Sequence, residues 1–364
     1  MGLSAILSAY LARHIAFWLA SVFAAVTGVA FLFDTVEMLR RSAGKAEIGI
    51  ITVLQMSVLK LPHLVQQILP FCVLLGATLA FWRLARANEL VVTRAAGISA
   101  WQILAPAVAI ALLVGVVQIT LFNPLASAML SKFEQLETRY LKRSVSLLSV
   151  SSTGLWLRQS DAAGQSVIHA GHVAQSDMSL HEVIIFLFEG NDHFISRIDA
   201  EDAKLKDGYW DIRNAWISSP NKRPYYMAKH RLDTNLTLNK ILDSFASPET
   251  LSFWQLPGFI ETLETAGFSG HRHKLYLHSL LASPFLLAAM ILVAAIFALR
   301  TSSRAGAALS ISGAVLCGFL LYFMSDLVYA LGLSASIPPL LAAWTPAGVS
   351  TLLGLTALFH IEDG

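Results

Sequence analysis

The chain has 364 residues, of which 55% are hydrophobic and 14% charged, and its formal net charge is +2. Soluble domains carry about 25% charged residues, so a mean hydropathy of +0.60 places the apolar excess in lipid. The small positive charge is not gathered into one stripe, which argues against a nucleic-acid binder.

A spanning helix needs about 20 mostly apolar residues. The first such stretch is Ile15–Val36. It is too long for a signal peptide and lacks a small-residue cleavage site, so it is read as retained. Asp34 stands near its end, and Arg40, Arg41, Lys45 and Lys60 follow before the second span, Leu61–Trp82. A short charged loop then leads to the third span, Trp101–Phe122. Asn123–Arg143 is amphipathic and continues that span outward.

From about Ser144 the pattern changes to short strand-like runs. They are Val145–Val150, Gly154–Arg158, Ser166–Ala170, Glu182–Phe188, Phe194–Ile198, Tyr209–Arg213 and Tyr225–Lys229. Turn residues such as Asp161–Gly164 and Lys206–Gly208 separate them. Many short strands with regular turns predict an all-β insert of sandwich, jelly-roll or open-barrel type. Such an insert either caps or dimerises the protein, or takes an apolar ligand between its layers or a strand at its edge.

Pro248–Gly267 returns to helix with an interfacial character. His271, His273 and His278 follow. No carboxylate or cysteine completes a familiar metal spacing, so they are read as a basic anchor and no metal site is expected. Three further spans close the chain: Leu275–Ala298, Gly306–Leu331 and Ile337–Phe359. Cys72 and Cys317 both fall within spans and are read as small apolar residues, not a disulfide. The layout is three spans, a folded insert and three spans.

Arg83, Arg86 and Arg94 lie in one short hairpin, and Arg300 and Arg304 in another. The positive-inside rule makes both hairpins cytoplasmic. Both termini are then cytoplasmic and the insert lies outside. The cations between spans one and two fall on the outer side and call for a separate explanation.

The loop Arg83–Gly97 has two readings. One is an ordinary charged anchor. The other is a short helix capped by Asn88 and ended by Gly97. It would offer Leu90, Val91 and Val92 as an apolar knob to a cytoplasmic partner, with Glu89 and Arg94 setting register. Asp326, in the outer half of span five, is either a functional intramembrane acid or a residue that reaches the interface. Small residues from Gly306 to Gly318 allow span five to pack closely on another helix. No phosphate-binding loop occurs: Gly44-Lys45 lacks the earlier glycine and the following hydroxyl. No zincin or nucleophile-elbow motif occurs either.

The run Arg83-Leu-Ala-Arg-x-x-Glu-Leu-Val-Val-x-Arg-Ala-Ala-Gly-Ile-Ser resembles the coupling-helix signature of the permease subunits of the lipopolysaccharide export ABC transporter, the LptF/LptG family. Phe33–Arg41, the Leu61-Pro-His…Leu69-Pro-Phe…Leu75-Gly-Ala pattern and Ile337-Pro-Pro-Leu…Trp344-Thr-Pro resemble the same family. The Val36–Arg41 run and Glu89-Leu-Val-Val are more similar to its LptG branch.

The resemblance implies an α-helical membrane protein with six transmembrane helices in a 3+3 arrangement and an inserted all-β, jellyroll-like periplasmic domain. The divisions expected are residues 1–124 with a coupling helix near 84–97, residues 125–270 for the β domain with its flanking helices, and residues 271–364. It implies a bacterial inner-membrane transporter subunit, not an enzyme, with no cofactor of its own. ATP and Mg would sit on a partner ATPase dimer. The other partners implied are a paralogous permease and a periplasmic bridge protein, with lipopolysaccharide as substrate.

Arg86, Glu89, Leu90, Val91, Arg94 and Gly97 would couple to the ATPase. Arg40, Arg41, Lys45 and Lys132 would meet head-group phosphates, since Arg pairs phosphate oxygens in a bidentate manner; the other reading is snorkelling cations. Family members often place a further cation near Asp34. The acid leaves that contact open, with Lys45, Lys60 or Lys132 substituting for it or pairing with it. Within transport, a permease of another ABC exporter with a different lipid cargo stays open, and two rivals from other classes remain from the residues alone. An envelope-modifying enzyme would need a polar constellation that only scattered His, Asp and Glu provide. A scaffold would bind envelope proteins without lipid or nucleotide.

Overall fold

The computed structural model describes residues 5–43, 49–142, 148–151, 154–160, 165–174, 179–189, 193–220, 222–234, 247–265, 269–299 and 306–363. The chain divides into two compact units. One is helical and comprises 1–142, 249–254 and 274–364; the other is built on a sheet and comprises 143–248 and 255–273.

In the helical unit, α1 (Ala5–Ser42) and α2 (Ile50–Arg86) run side by side. Then come a seven-residue helix α3 (Glu89–Ala95) and α4 (Ala100–Val117). A π-helical turn over Gln118–Phe122 joins α4 to α5 (Asn123–Glu137) without a break. Among the described residues six helices are long and apolar enough to cross a membrane, and each contains or closely overlaps an expected span. At 1.5 Å per residue, α1 is about 57 Å long. That exceeds a hydrocarbon core of about 30 Å, so α1, α2 and the α4–α5 rod extend beyond it. Met38, Val53, Met56 and Phe133 glue their protruding ends into a small satellite core.

The main helical core is small-residue packing. Ala77, Ala107, Ala111, Ala294 and Ala295 are completely buried. At Gly115 of α4 an added Cβ would lie 2.5 Å from the Cα of Pro284. That atom is backbone and cannot swing away. Gly115→Ala is therefore expected to destabilise the protein by about 1–3 kcal/mol, as overpacking does. Gly28→Ala, where nothing lies within 4 Å, is the control. Thermal unfolding of both variants in detergent reads the difference; equal midpoints would show that α4 and its neighbour are not in close contact.

The other unit carries seven antiparallel strands among the described residues. They are β1 (Leu148–Ser151), β2 (Gly154–Ser160), β3 (Gln165–Val173), β4 (Ser179–Glu189), β5 (His193–Lys206), β6 (Tyr209–Ser218) and β7 (Tyr225–Asp233). All seven expected strands are present. Their order is sequential, β1 to β7, where two Greek keys of a jelly roll would cross over. Short turns make each strand pair with its neighbour in sequence.

The sheet nevertheless rolls. Thr234 Oγ1 donates to Gln159 Oε1 at 2.5 Å, and Gln159 Nε2 donates to the Asp233 carbonyl at 3.4 Å. The residues just past β7 therefore meet β2. Its inner face carries an apolar row through successive strands: Leu157, Ile168, Ile185, Ile198 and Ile217. Leu263 from α6 (Leu256–Thr265) joins that core. These side chains form an apolar core in the β unit.

Strands β4 to β6 are longer than the apolar alternation suggests. Glu182 and Asn214 have positive φ, and Glu182, Glu201 and Asn214 lie opposite one another in an unbroken register. The buried face slips by one residue there, from Leu180 to Val183, from Ala200 to Ala203 and from Ile212 to Ala215, which hides the continuation of each strand.

The last three helices are α7 (His271–Leu299), α8 (Gly306–Leu333) and α9 (Pro339–Asp363). His273, expected as part of an interfacial anchor, is buried beside the Phe259 ring, 5.1 Å between centroids. Among the described residues no cluster of three His, Cys, Asp or Glu side chains could hold a metal ion.

Candidate functional site

The hairpin between α2 and α4 is fixed at every joint. Asn88 reverses the chain in the left-handed conformation, φ 60°, which Asn tolerates better than most residues. Its side chain makes no cap hydrogen bond, so the expected capping role is corrected: the backbone turn, not the amide, starts the helix. Gly97 (φ 82°) ends it. The Gly97 N–H donates to the Arg94 carbonyl at 2.9 Å and the Ile98 N–H to that of Thr93 at 3.3 Å, the paired bonds of a Schellman motif. Ser99 and Gln102 then form a reciprocal capping box on α4.

Between these joints the predicted knob divides. Leu90 is 5% exposed and belongs to the helical core, while Val91 and Val92 are 59% and 67% exposed. Leu90 thus anchors α3, and only the two valines face outward. Arg94 and Arg86 are exposed, the latter lying over the Trp82 ring. Glu89 accepts a hydrogen bond from Tyr10 Oη at 2.9 Å, which ties α3 to the first turns of α1. Nothing in the spacing singled out Tyr10, because the pair is 79 positions apart.

A second station lies at the far end of α1. Arg40 makes a forked contact with Glu37, Nε to Oε2 at 2.8 Å and Nη2 to Oε1 at 3.0 Å. Arg41 Nε also reaches Glu37, at 2.9 Å, and its Nη1 lies 3.8 Å from Glu137 of α5. The sequence reading overlooked Glu37, although i,i+3 and i,i+4 spacing predicts both pairs. Lys60 donates to Asp34 at 2.6 Å, joining α2 to α1. Lys132 is exposed on α5, and Lys45 lies outside the described residues. The arrangement presents guanidinium forks on a three-helix platform, each already holding a carboxylate.

The third feature is inside the helical unit. An apolar cavity of about 300 Å³ lies between α1, α2 and α4, walled by residues such as Leu19, Phe23 and Val114. The return segment before α6 is pinned to α4 and α5 by buried Asn123. Asn123 Oδ1 accepts the Phe253 N–H at 2.7 Å and its Nδ2 donates to Tyr276 Oη at 3.2 Å. The neighbouring π-helical turn leaves the Thr120 carbonyl to accept Trp254 Nε1 at 3.2 Å. Asp326 is exposed on α8, facing a larger cavity.

This geometry can be set beside known proteins. A family model described as lipopolysaccharide export system permease LptF/LptG matches residues 9–360. The lipopolysaccharide export system permease protein LptG of Escherichia coli (strain K12) is 25% identical over 314 residues, covering 84% of each chain. The protein of the same name from Haemophilus influenzae is 23% identical over 331 residues, covering 88% of this chain and 89% of its own. Six spanning helices interrupted by a β unit, a punctuated cationic hairpin and a family match over nearly the full length lead to one conclusion: the chain belongs to the lipopolysaccharide export permease family LptF/LptG.

Proposed function

We propose that this chain is an inner-membrane permease subunit that exports lipopolysaccharide, paired with a second permease and driven by a separate ATPase. The observation that carries the reading is α3, a short helix locked at both ends with two valines presented outward. A rigid apolar knob on a basic hairpin suits a partner whose motion it must transmit. Nucleotide and its Mg²⁺ are assigned to that partner, since this chain has no phosphate-binding loop.

Energetics supports external driving. Drawing one acyl chain of about a dozen carbons into water costs roughly 10 kcal/mol, at ~0.8 kcal/mol per CH₂. A lipid with several chains needs an apolar chamber and a source of work. In this reading the lipid leaves the outer leaflet beside α1 and α8 and passes through the β unit to a periplasmic bridge. The β unit lies outside and both termini inside, as the cationic hairpins suggest.

Native mass spectrometry of the protein released gently from its own membrane tests the reading. A second permease, two ATPase copies and bound lipopolysaccharide are expected. A lone chain or a homodimer carrying only phospholipid would overturn it. Within the same reading, Arg40→Glu with Arg41→Glu weakens capture of lipopolysaccharide by tenfold or more, about 1.4 kcal/mol. The reversed charges repel phosphate and lose the forked contacts. Unchanged lipid retention on the purified variant would remove these arginines from the site.

A further inference from the structure

A second cavity of the helical unit has about 480 Å³ and is walled by α2, α7, α8, the π-helical turn and the return segment before α6. It is more polar than its surroundings require. Asp326 from α8 and Glu249 from the return segment both line it. Among the described residues neither carboxylate is ion-paired with a Lys or Arg. Gln118, 92% buried on its 8% exposure, lines the same space, and its Oε1 has no hydrogen-bond partner. Gln66 contributes a buried Nε2 that is likewise unpartnered.

The chemistry missing from this space follows from what its walls supply. Two carboxylates and an amide oxygen are acceptors, so the occupant must donate. Two carboxyl groups without a Lys or Arg ion pair favour a cationic donor. A bare metal ion fits poorly: no group of three ligating side chains exists among the described residues, and the volume is that of a small-molecule pocket, about 300–1,000 Å³. Tyrosine rings of Tyr276, Tyr322 and Tyr329 face the cavity, and aromatic faces attract organic cations. An ammonium group has three donors and no acceptor. An oxygen close to the nitrogen, as in ethanolamine, would also serve the Gln66 donor.

We propose that this cavity binds an organic ammonium group, held by Asp326 and Glu249 with Gln118 Oε1 as a further acceptor. The group belongs either to a phospholipid head group or to a small free amine. The inference stands on the cavity and does not depend on the export reading.

The test uses the intact protein with the subunits that co-purify with it. It is reconstituted in an equal mixture of phosphatidylethanolamine and phosphatidylglycerol, and retained lipid is counted by native mass spectrometry. In parallel, radiolabelled ethanolamine is titrated onto protein held in phosphatidylglycerol alone. Phosphatidylethanolamine enrichment that falls about tenfold in Asp326→Asn with Glu249→Gln, the loss expected for charge-assisted hydrogen bonds, supports a lipid source. Ethanolamine uptake lost in the same variant, without lipid enrichment, supports a soluble one. Neither signal, or a signal untouched by the substitutions, overturns the proposal. If the variant does not assemble, displacement in the unaltered protein decides. Excess unlabelled ethanolamine should displace the radiolabelled ethanolamine and uncharged ethylene glycol should not; equal behaviour of the two overturns it.

Discussion

Replacing both valines of α3 with acids, Val91→Glu with Val92→Glu, is expected to release the ATPase while leaving the permease folded. Both side chains are more than half exposed, so the substitutions cost the isolated chain little. Burying a valine against a partner is worth about 1.5–3 kcal/mol. Losing two such contacts and burying charge in their place exceeds about 3 kcal/mol, more than a hundredfold in affinity. The contrast is Leu90→Ala one residue earlier. That leucine belongs to the helical core, and its truncation costs about 2–5 kcal/mol of folding stability. Size-exclusion co-elution of the ATPase separates the two: the double acid should elute alone and monodisperse, whereas Leu90→Ala should lose thermal stability first. Stoichiometric ATPase on the double-acid protein would mean that α3 is not the docking element.

That contrast shows where a sequence can be read and where it cannot. Leu90, Val91 and Val92 are indistinguishable as an apolar triplet; a seven-residue helix turns about 100° per residue, and only its packing decides which one faces inward. The six spans were legible because lipid imposes length and apolarity together. The strands were legible where alternation is strict, as in Gly154–Arg158. They were cut short where the buried face slips by one residue at Glu182, Glu201 and Asn214, although the pairing register is unbroken.

Long-range polar pairs were the least legible. Tyr10–Glu89 and Asn123–Tyr276 join residues 79 and 153 positions apart, and no local spacing encodes such contacts. Glu37 is the instructive omission. Its two partners lie three and four residues on, so it was readable, but attention to the arginines as lipid contacts left their own carboxylate unexamined.

The cations at the far end of α1 make the same point energetically, and they lead to the second large effect. Arg40, Arg41 and Lys60 are matched by Glu37, Glu137 and Asp34, three charges against three. The Lys60–Asp34 pair is the buried member: the side chains are 22% and 6% exposed. Breaking such a pair from one side leaves an uncompensated charge and costs about 3–5 kcal/mol, whereas replacing both partners with apolar residues is near neutral. Asp34→Ala should therefore destabilise the protein strongly, towards the low end of that range because Lys60 can turn its ammonium to water.

Asp34→Ala with Lys60→Met should recover most of the loss, and thermal unfolding of the single and double variants measures it. If the two variants melt alike, the pair contributes nothing and Lys60 counts as a free cation beside the arginines. If they differ as expected, Lys60 is structural. A lipid phosphate arriving at this end of α1 must then win Arg40 and Arg41 from Glu37, an exposed exchange in which neither partner holds much advantage in water. Head-group capture would then be a replacement of one anion by another on the same guanidinium forks, reversible by small movements of α1.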